Sequence, residues 1–372
     1  MSNSAKPYTM EEILKDFHDG KFVIVVDDED RENEGDFIVA AEKITPEKVN
    51  FMLRHGRGVL CAPITIERCE ELDLPHMVGN NTSILGTPFT VTIDKLEGCT
   101  TGVSAADRAA TIRALADPKS TPATFGRPGH INPLYAQNRG VLRRAGHTEA
   151  AVDLARLAGL YPAAALIEIM NEDGTMARMP DLEIFSQIHQ IPIVSIADLV
   201  AWRLQRDALV SKVNEAEVTV GFAAGFHAVS FKSAIDSRVH LALCYNLDKI
   251  DEMTPLVRVH SGLVWNDMLG INDDNHALSN AIDAIKKHGC GVLLYIHRDA
   301  DAGNSVADAI SNTTPIDEDA VNHISPETRL YGIGAQCLRS LGIHDMILLS
   351  DSPKKLAAIE GFGLKITKTQ SF

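Results

Sequence analysis

An acidic segment that directly follows an apolar strand pattern constrains the fold of this chain more than any other feature. Residues 21 to 26, KFVIVV, have the apolar, β-branched composition of a buried strand. Seven of the next ten residues, DDEDRENEGD at positions 27 to 36, are carboxylates. Such charges repel one another and lose their solvation in an apolar interior, so this segment must leave the core where the strand ends. Charge runs are often solvated turns, but loops at strand ends also hold ligands in α/β proteins.

Alternation within the acidic segment gives it a possible metal-facing side. If the extended geometry continues beyond Val26, four carboxylates lie on one side of the chain and Arg31 on the other. Those four are Asp28, Asp30, Glu32 and Glu34. Hard divalent cations are held by one or two carboxylates together with water and substrate oxygens. The guanidinium of Arg31 would then suit an anionic substrate beside the metal.

The bulk properties narrow the class of protein. A chain of 372 residues is long enough for two domains, and its 45% hydrophobic and 23% charged content is typical of globular proteins. The net charge of −15 disfavours binding to nucleic acid. We expect no membrane span and no signal peptide, because neither apolar pattern is present. Six cysteines without CxxC pairs indicate reduced thiols, so a cytoplasmic location is expected.

Hydrophobic periodicity predicts alternating helices and strands in both halves of the chain. In the first half we expect helices at 9–20, 45–56, 103–117, 147–159 and 181–190, strands at 21–26, 58–64, 88–94 and 162–170, and a closing strand and helix within 192–209. In the second half we expect strands at 239–246, 256–262, 291–298 and 346–351, and helices at 276–289, 329–342 and 354–363. This pattern favours a mixed α and β first domain and a layered α/β second domain. We place the domains at residues 1–208 and 209–372.

The segment RRAGHTEA, residues 143 to 150, is a candidate anion site. Thr148 suits the N-cap of the following helix, and a helix start offers free amide donors and a positive dipole. With RPGH at 127–130, it makes a basic pocket plausible within an acidic protein. His147 is of a common metal-ligand type, although a lone histidine is more often structural. Ordinary capping with a surface basic pair is the alternative.

Two further residues stand in apolar strand patterns. Glu168, in AAALIEIM, costs free energy in an apolar strand unless it is paired or protonated, and burial would raise its pKa towards the range of a general base. A solvent-facing edge position is the alternative. Cys61, in GVLCAPI, is consistent with a small buried hydrophobe. In TTGVSAADR, residues 100 to 108, Ser104 and Asp107 have the spacing of a capping box.

These motifs together resemble one enzyme family over about residues 8 to 204. DDEDRENEGD, RHGRGVLC, TTGVSAADR, RPGH, GHTEA and DGTMAR, in this order, are similar to 3,4-dihydroxy-2-butanone 4-phosphate synthases of riboflavin biosynthesis. The resemblance implies an α+β fold and a lyase that converts D-ribulose 5-phosphate to 3,4-dihydroxy-2-butanone 4-phosphate and formate. It also implies two Mg²⁺ ions per active site and a homodimer with sites at the subunit interface. A histidine ligand is soft for magnesium, which keeps Mn²⁺ as an alternative.

The resemblance also implies roles for individual residues. Glu32 and His147 match the metal ligands, and His130 and Glu168 match positions essential for catalysis. The substrate-contacting positions are Arg31, Glu32, Asp36, Arg144, Ala145, Gly146, His147, Thr148 and Glu168. We expect Glu168 to transfer a proton, with Asp36 as its alternative. Cys61 lies where the family often carries an active-site cysteine, and it is a secondary candidate.

The second half, about residues 215 to 366, resembles GTP cyclohydrolase II but lacks that family's chemistry. RVHSG at 258–262, GVLLYIHR, YGIGAQCLRSLG and GFGLKI keep the framework. The family needs three zinc cysteines after RVHS, and the corresponding stretch here, residues 262–281, has no cysteine. Asp301 also stands where that family has an arginine, and the charge of Asp301 would repel a triphosphate. We therefore expect no zinc and no cyclohydrolase activity.

Two alternatives remain for this second half. In the first, the protein is bifunctional and its second site uses replacement ligands, such as His260, Asp274 and His276. In the second, the half is a non-catalytic module for dimer stability, regulation or docking of pathway partners.

Overall fold

The structure, a computed structural model, describes residues 8–29, 31–235, 238–262, 277–297, 326–350 and 363–371. The chain forms two compact units, and the division falls between Trp202 and Arg203, inside a helix. The predicted boundary between residues 208 and 209 remains a prediction for the functional domains.

The first unit contains a seven-stranded sheet and seven α-helices within its described residues. The strands are β1 Val23–Val26, β2 Gly35–Ala40, β3 Cys61–Thr65, β4 Ile93–Lys95, β5 Phe125–Ala136, β6 Ala164–Glu168 and β7 Ile193–Ser195. The helices are α1 Met10–His18, α2 Pro46–His55, α3 Ile66–Glu71, α4 Ala105–Ala116, α5 His147–Leu157, α6 Met179–His189 and α7 Ile196–Arg206. The strand order is β4-β5-β3-β6-β2-β1-β7, with β1–β7 and β3–β5 parallel and the other pairs antiparallel. This mixed sheet confirms the predicted α+β class.

Helix ends in the first unit follow the local signals in the sequence. Thr9 and Glu12 form a reciprocal capping box at the start of α1. Thr45 caps α2, which ends at Gly56 as predicted. Such caps satisfy backbone groups that have no partner inside the helix. They explain why these helices begin and end where the pattern indicates.

Other sequence expectations for the first unit are wrong in detail. The strand expected at 88–94 is present only as Ile93–Lys95, with an isolated bridge from Phe89 to Leu134. Ser104 does cap α4, but the Asp107 carboxylate accepts hydrogen bonds from Thr100 and Gly102 instead of completing a capping box. The preceding turn therefore competes with the helix start for this carboxylate.

The second unit also has a seven-stranded sheet among its described residues, in the order β14-β13-β11-β12-β10-β9-β8. Its strands are β8 Val210–Glu217, β9 His227–Ser233, β10 Val239–Tyr245, β11 Leu256–Gly262, β12 Gly291–His297, β13 Asp345–Leu349 and β14 Lys365–Gln370. The helices α8 Ala277–His288 and α9 Pro326–Ser340 confirm two predicted elements. The helix predicted at 354–363 lies almost entirely outside the described residues. No helix in the described ranges combines the length and apolarity needed to cross a membrane.

Candidate active site

The acidic loop, residues 27 to 34, connects β1 to β2 and turns instead of continuing the strand. The structure describes all of it except Asp30. Strand β1 ends at Val26, and Asn33 has a left-handed backbone with φ of 54°. The predicted alternation of carboxylates beyond Val26 is therefore wrong, because a turn gives no common side to Asp28, Glu32 and Glu34.

Asp27 organises this loop from the inside. Its Oδ1 accepts a hydrogen bond from the amide of Glu34 at 2.8 Å, and its Oδ2 accepts one from the amide of Glu32 at 3.0 Å. Arg31 Nη1 also donates to Asp27 Oδ2, at 2.8 Å. The side chain of Asp27 is only 1% exposed. Its oxygens are thus largely committed to holding the loop, and Glu32 is left to face the site.

Arg31 joins the two carboxylates on either side of it. Its Nη1 lies 2.8 Å from Asp27 and its Nη2 lies 2.8 Å from Glu32 Oε1, and its side chain is 6% exposed. This fork fixes the orientation of Glu32 in the loop. The predicted substrate contact of Arg31 remains a prediction.

His147 is the first residue of α5 and meets the acidic loop. Its Nδ1 lies 3.5 Å from Glu32 Oε2, and its buried Nε2 has no hydrogen-bond partner in the described structure. Helix α5 begins at His147 with Gly146 as its N-cap, so the predicted N-cap role of Thr148 is wrong. Glycine is needed at this N-cap for a steric reason. A Cβ at Gly146 would lie 2.5 Å from Arg144 Nη1 and 2.8 Å from Glu149 Oε2.

Electrostatics couples Glu32, His147 and Asp36. Burial disfavours the ionised form of Glu32, but the hydrogen bond with His147 and the charge of Arg31 lower its pKa to about 2. Burial alone would lower the pKa of His147, yet the charge of Asp36 and the hydrogen bond with Glu32 raise it to about 9. Burial raises the pKa of Asp36 to about 7, against the favourable charge of His147. Perturbed groups that face one another in this way are typical of functional sites.

The register of the sheet places four predicted site residues on one face. Asp36 of β2 pairs with Glu168 of β6, Leu166 of β6 with Cys61 of β3, and Cys61 with Asn132 of β5. Since side chains two residues apart on a strand share a face, His130 lies on the same face as the other three. Helix α5 packs against these strands and brings His147 to Asp36. The site is thus assembled from residues far apart in the sequence.

Glu168 lies in the predicted strand as the last residue of β6, and it is half-buried. Its Oε2 accepts a hydrogen bond from the amide of Val59 at 2.7 Å. A Cβ at Gly58 would lie 2.3 Å from the same oxygen, so glycine is needed for this approach.

Cys61 is 2% exposed, and burial followed by the charges of Glu168 and Asp36 raises the pKa of its thiol well above the usual value. This thiol is protonated and not a ready nucleophile.

His130 forms a pair with a carboxylate that the sequence did not single out. Asp94 Oδ2 lies 2.6 Å from His130 Nδ1, and Asp94 Oδ1 accepts a hydrogen bond from the His130 amide at 2.9 Å. Gly102 packs so closely that a Cβ there would lie 2.1 Å from Asp94 Oδ2. The imidazole remains about half exposed. Such a pair orients the ring and fixes which nitrogen carries the proton.

Hydrogen bonds and an ion pair fix the candidate anion site at residues 143–150. Arg144 Nη1 lies 2.8 Å from the buried carboxylate of Glu149, which also accepts from the Gln137 amide at 3.0 Å. The first turn of α5 has no side-chain cap, so its amides from His147 onward are open to an acceptor. Arg143 is exposed. The surface-pair alternative therefore fits Arg143 but not Arg144.

The donor set at the meeting point of loop and helix fits a hard divalent cation. Among the described residues, Asp27, Glu32 and His147 are the group whose ligand atoms all lie within 4.8 Å of one another. Carboxylate oxygens suit Mg²⁺, and the buried, unpartnered Nε2 of His147 shows that this histidine is not satisfied by the protein alone. Glu32 and His147 would hold the ion, while Asp27 supports the loop.

Sequence reasoning missed Asp27, Asp94 and Arg178. Alternation from Asp28 onward does not include Asp27. A carboxylate directly before a loop is a common acceptor for the loop's own amides, which is the signal that identifies it. Asp94 is the last residue of the alternating pattern PFTVTID. An acidic residue at the end of a strand is a signal for a functional site at that edge of the sheet. Arg178 ends the motif DGTMAR, in which no local pattern assigns it a role.

The fold and this geometry define the class of protein as an α+β enzyme domain with a carboxylate–histidine group whose spacing fits a cation. Residues 11–202 match the family of 3,4-dihydroxy-2-butanone 4-phosphate synthases, and residues 211–371 match GTP cyclohydrolase II. The chain belongs to the synthase family, with a cyclohydrolase II-type domain fused behind it. Its activity is that of 3,4-dihydroxy-2-butanone-4-phosphate synthase, a lyase of riboflavin biosynthesis.

Three similar proteins support this assignment. A riboflavin biosynthesis protein RibBA of Phocaeicola vulgatus is 53% identical over 370 residues, covering 97% of this chain and 91% of that protein. The crystal structure of RibBX, a two-domain synthase from A. baumannii, has 38% identity and a TM-score of 0.80, covering 98% of this chain and all of that one. A synthase solved in complex with two magnesium ions has 41% identity and a TM-score of 0.52, covering 54% of this chain and 98% of that one.

The second unit shows no cysteine cluster among its described residues. Cys244 lies on β10, Cys290 directly before β12 and Cys337 on α9, and all three are buried and free. They do not form a ligand group with the required distances in the part of the chain that the structure describes. Most of the stretch that aligns with the missing zinc segment, together with Asp274, His276 and Asp301, lies outside the described residues.

Proposed function

We propose that the first unit converts D-ribulose 5-phosphate to 3,4-dihydroxy-2-butanone 4-phosphate and formate at a Mg²⁺ site held by Glu32 and His147. The observation that carries the proposal is the 3.5 Å approach of Glu32 to His147, with a buried nitrogen of His147 left unpartnered. The relative solved in complex with two magnesium ions supports Mg²⁺ as the cation. Two ions per active site, and Mn²⁺ as the alternative, remain predictions from the family resemblance. Formate release from ribulose 5-phosphate in the presence of Mg²⁺ tests it. An inactive pure protein would contradict it.

The residues around the cation divide the work of binding and proton transfer. A bound Mg²⁺ supplies positive charge that stabilises negative charge developing on substrate oxygens. The amides of His147 and Thr148 at the start of α5, together with Arg144, bind the substrate phosphate. Arg31 fixes Glu32 and contacts the substrate beside it.

Proton transfer is assigned to Glu168, with Asp36 as the alternative. Glu168 is half-buried, so its second carboxylate oxygen can reach a substrate, whereas Asp36 is 2% exposed. Asp36 has a pKa of about 7, which suits a general base, and its Oδ1 has no hydrogen-bond partner in the described structure. Access to the substrate favours Glu168, whereas the raised pKa favours Asp36 as a base. Substitution of each residue distinguishes the two.

His130 moves a proton through its exposed Nε2 in this proposal, and Asp94 holds the ring by its Nδ1. Asp94→Asn removes the charge but keeps the shape, and we expect kcat to fall by about a hundredfold or more because the ring loses its preferred tautomer. The pH profile of kcat, compared with that of His130→Asn, checks this. Equal kcat values for Asp94→Asn and the unaltered protein would contradict it.

Mg²⁺ binding is expected to depend on pH through His147. Its pKa is about 9 without metal, and a ligand histidine must be neutral, so cation binding has to release this proton. Below that pKa the apparent affinity rises with pH, by up to about tenfold per unit. Glu32, with a pKa of about 2, stays ionised throughout and adds no dependence. Calorimetry of Mg²⁺ binding in buffers of different ionisation enthalpy measures the released proton, and a pH-independent affinity would be inconsistent with His147 as a ligand.

The cyclohydrolase II-type unit is proposed to be catalytically inactive. The missing cysteines between residues 262 and 281 support this, as does the likeness to RibBX, a two-domain protein named for the synthase activity. We expect no formate from GTP and no stoichiometric zinc in the purified protein. Zinc together with GTP turnover would establish the bifunctional alternative, including a site that uses His260.

A non-catalytic role for this unit is the remaining alternative. A homodimer with sites at the subunit interface is proposed from the family resemblance, and sedimentation velocity of the full chain measures it. If the chain truncated near residue 210 stays dimeric and fully active, a stabilising role for the second unit is wrong.

A further inference from the structure

Arg178 contacts the acidic loop from the start of α6. Its Nη1 donates to the carbonyl oxygen of Glu32 at 2.8 Å and also to the carbonyl oxygen of Asn33. We infer that Arg178 is a positioning residue, which holds the loop backbone so that the Glu32 carboxylate stays at the cation site. This inference rests on the proposed role of Glu32 as a metal ligand.

The backbone of Glu32 is held on both sides. Asp27 accepts from its amide at 3.0 Å, and Arg178 donates to its carbonyl at 2.8 Å. Its side chain is held separately by Arg31 at 2.8 Å. Asp27 can satisfy only the amide donors of the loop, since a carboxylate accepts but does not donate. The loop's own amides reach the carbonyls of Asp28 and Glu34, whereas Arg178 supplies the donor for the carbonyls of Glu32 and Asn33.

Arg178 is itself anchored to the strand that carries Glu168. Its amide donates to Asp181 Oδ2 at 3.0 Å, and the neighbouring Ala177 amide donates to the Ile169 carbonyl at 3.0 Å. Ile169 follows Glu168 directly, so the segment that ends in Arg178 is fixed to the end of β6. Arg178 thereby links the position of Glu32 to that of Glu168.

Helix α6 also packs against the far end of the loop. A Cβ at Gly35, the first residue of β2, would lie 2.4 Å from Leu182 Cδ1. Leu182 is 1% exposed, so this contact leaves no room for the helix to shift. The helix start thus holds the loop by apolar packing at Gly35 and by the Arg178 hydrogen bonds at Glu32 and Asn33.

Lysine should replace this contact only in part. Arginine presents several donors in one plane, while lysine offers a single ammonium on a flexible stem. Two carbonyls of successive residues need a donor group that is fixed in place. Positive charge alone, among so many carboxylates, is not sufficient.

The test compares Arg178→Gln, Arg178→Lys, Glu32→Gln and Arg113→Gln in the full chain. Arg113 also donates to a backbone carbonyl, that of Ile44 at 2.9 Å, but away from the acidic loop, so it is the matched control. Calorimetric titration with Mg²⁺ measures affinity, and hydrogen exchange of the Glu32 and Glu34 amides in metal-free protein measures loop order.

We expect Arg178→Gln to weaken Mg²⁺ binding by about 10- to 100-fold and to speed exchange of both amides, because partners that orient a ligand have effects of this size. Arg178→Lys should fold as the unaltered protein does and show an intermediate loss of affinity, with kcat restored by excess Mg²⁺. Arg113→Gln should change neither measurement.

The outcomes separate this inference from the proposed function. If Glu32→Gln loses Mg²⁺ binding while both Arg178 variants keep normal affinity and normal amide exchange, the inference about Arg178 is overturned. If Glu32→Gln binds Mg²⁺ as tightly as the unaltered protein, the proposed cation site itself is wrong. Should Arg178→Gln fail to fold, Arg178→Lys decides the inference by the same two measurements.

Discussion

Replacing Glu32 by glutamine is expected to reduce formate release from ribulose 5-phosphate by about a thousandfold or more. The substitution keeps the shape of the side chain but removes the negative charge that the cation requires, and stabilisation of charge in the transition state is lost with the cation. The loop itself should remain, because Asp27 still holds Arg31 and the loop amides. A discontinuous formate assay over a range of Mg²⁺ concentrations measures the loss.

Glu29→Gln is the matched control for this experiment. Glu29 lies in the same loop and is exposed, so its replacement removes the same charge without removing a ligand. Activity should be retained in Glu29→Gln. Similar losses in both variants would show that the net charge of the loop matters and that Glu32 has no particular role.

Replacing Glu168 by glutamine is expected to lower kcat by about 10²- to 10⁴-fold, the usual contribution of a general base. Glutamine can still accept the hydrogen bond from the Val59 amide, so the side chain should keep its place. KM and the thermal unfolding midpoint should therefore change little. Glu172→Gln, at an exposed position on the same connection, serves as the control.

Asp36→Asn decides between the two candidates for proton transfer. If Glu168 is the base, Asp36→Asn should have the smaller effect on kcat and act mainly through His147, whose raised pKa depends on the charge of Asp36. A larger kcat loss in Asp36→Asn than in Glu168→Gln would assign the base to Asp36.

Much of the fold of the first unit could be predicted because its signals are local. Helix α2 is an example, since Thr45 and Gly56 mark its two ends and the spacing of apolar residues marks its buried face. The short strand β4 could not be predicted from alternation. Its neighbours Thr90 and Val91 bond to the carbonyls of Pro133 and Pro75, and only tertiary packing decides which residues join the sheet.

The site was predictable in its residue types but not in its geometry. The sequence indicates that Glu32 and His147 are of ligand type, but periodicity cannot show where the chain turns after Val26. A continued strand would group Glu32 with Asp28, Asp30 and Glu34, whereas the turn brings it to Asp27, Arg31 and His147. Asp27 and Arg178 hold Glu32 through its backbone, and contacts of this kind between distant segments leave no periodic signal.

Anomalous diffraction from crystals soaked in Mn²⁺, a stand-in for Mg²⁺, tests the central claim most directly. The account predicts an anomalous peak within bonding distance of both the Glu32 carboxylate and a ring nitrogen of His147, and its loss in Glu32→Gln. A crystal in which Mn²⁺ binds elsewhere in the first unit, with no peak between Glu32 and His147, would contradict it.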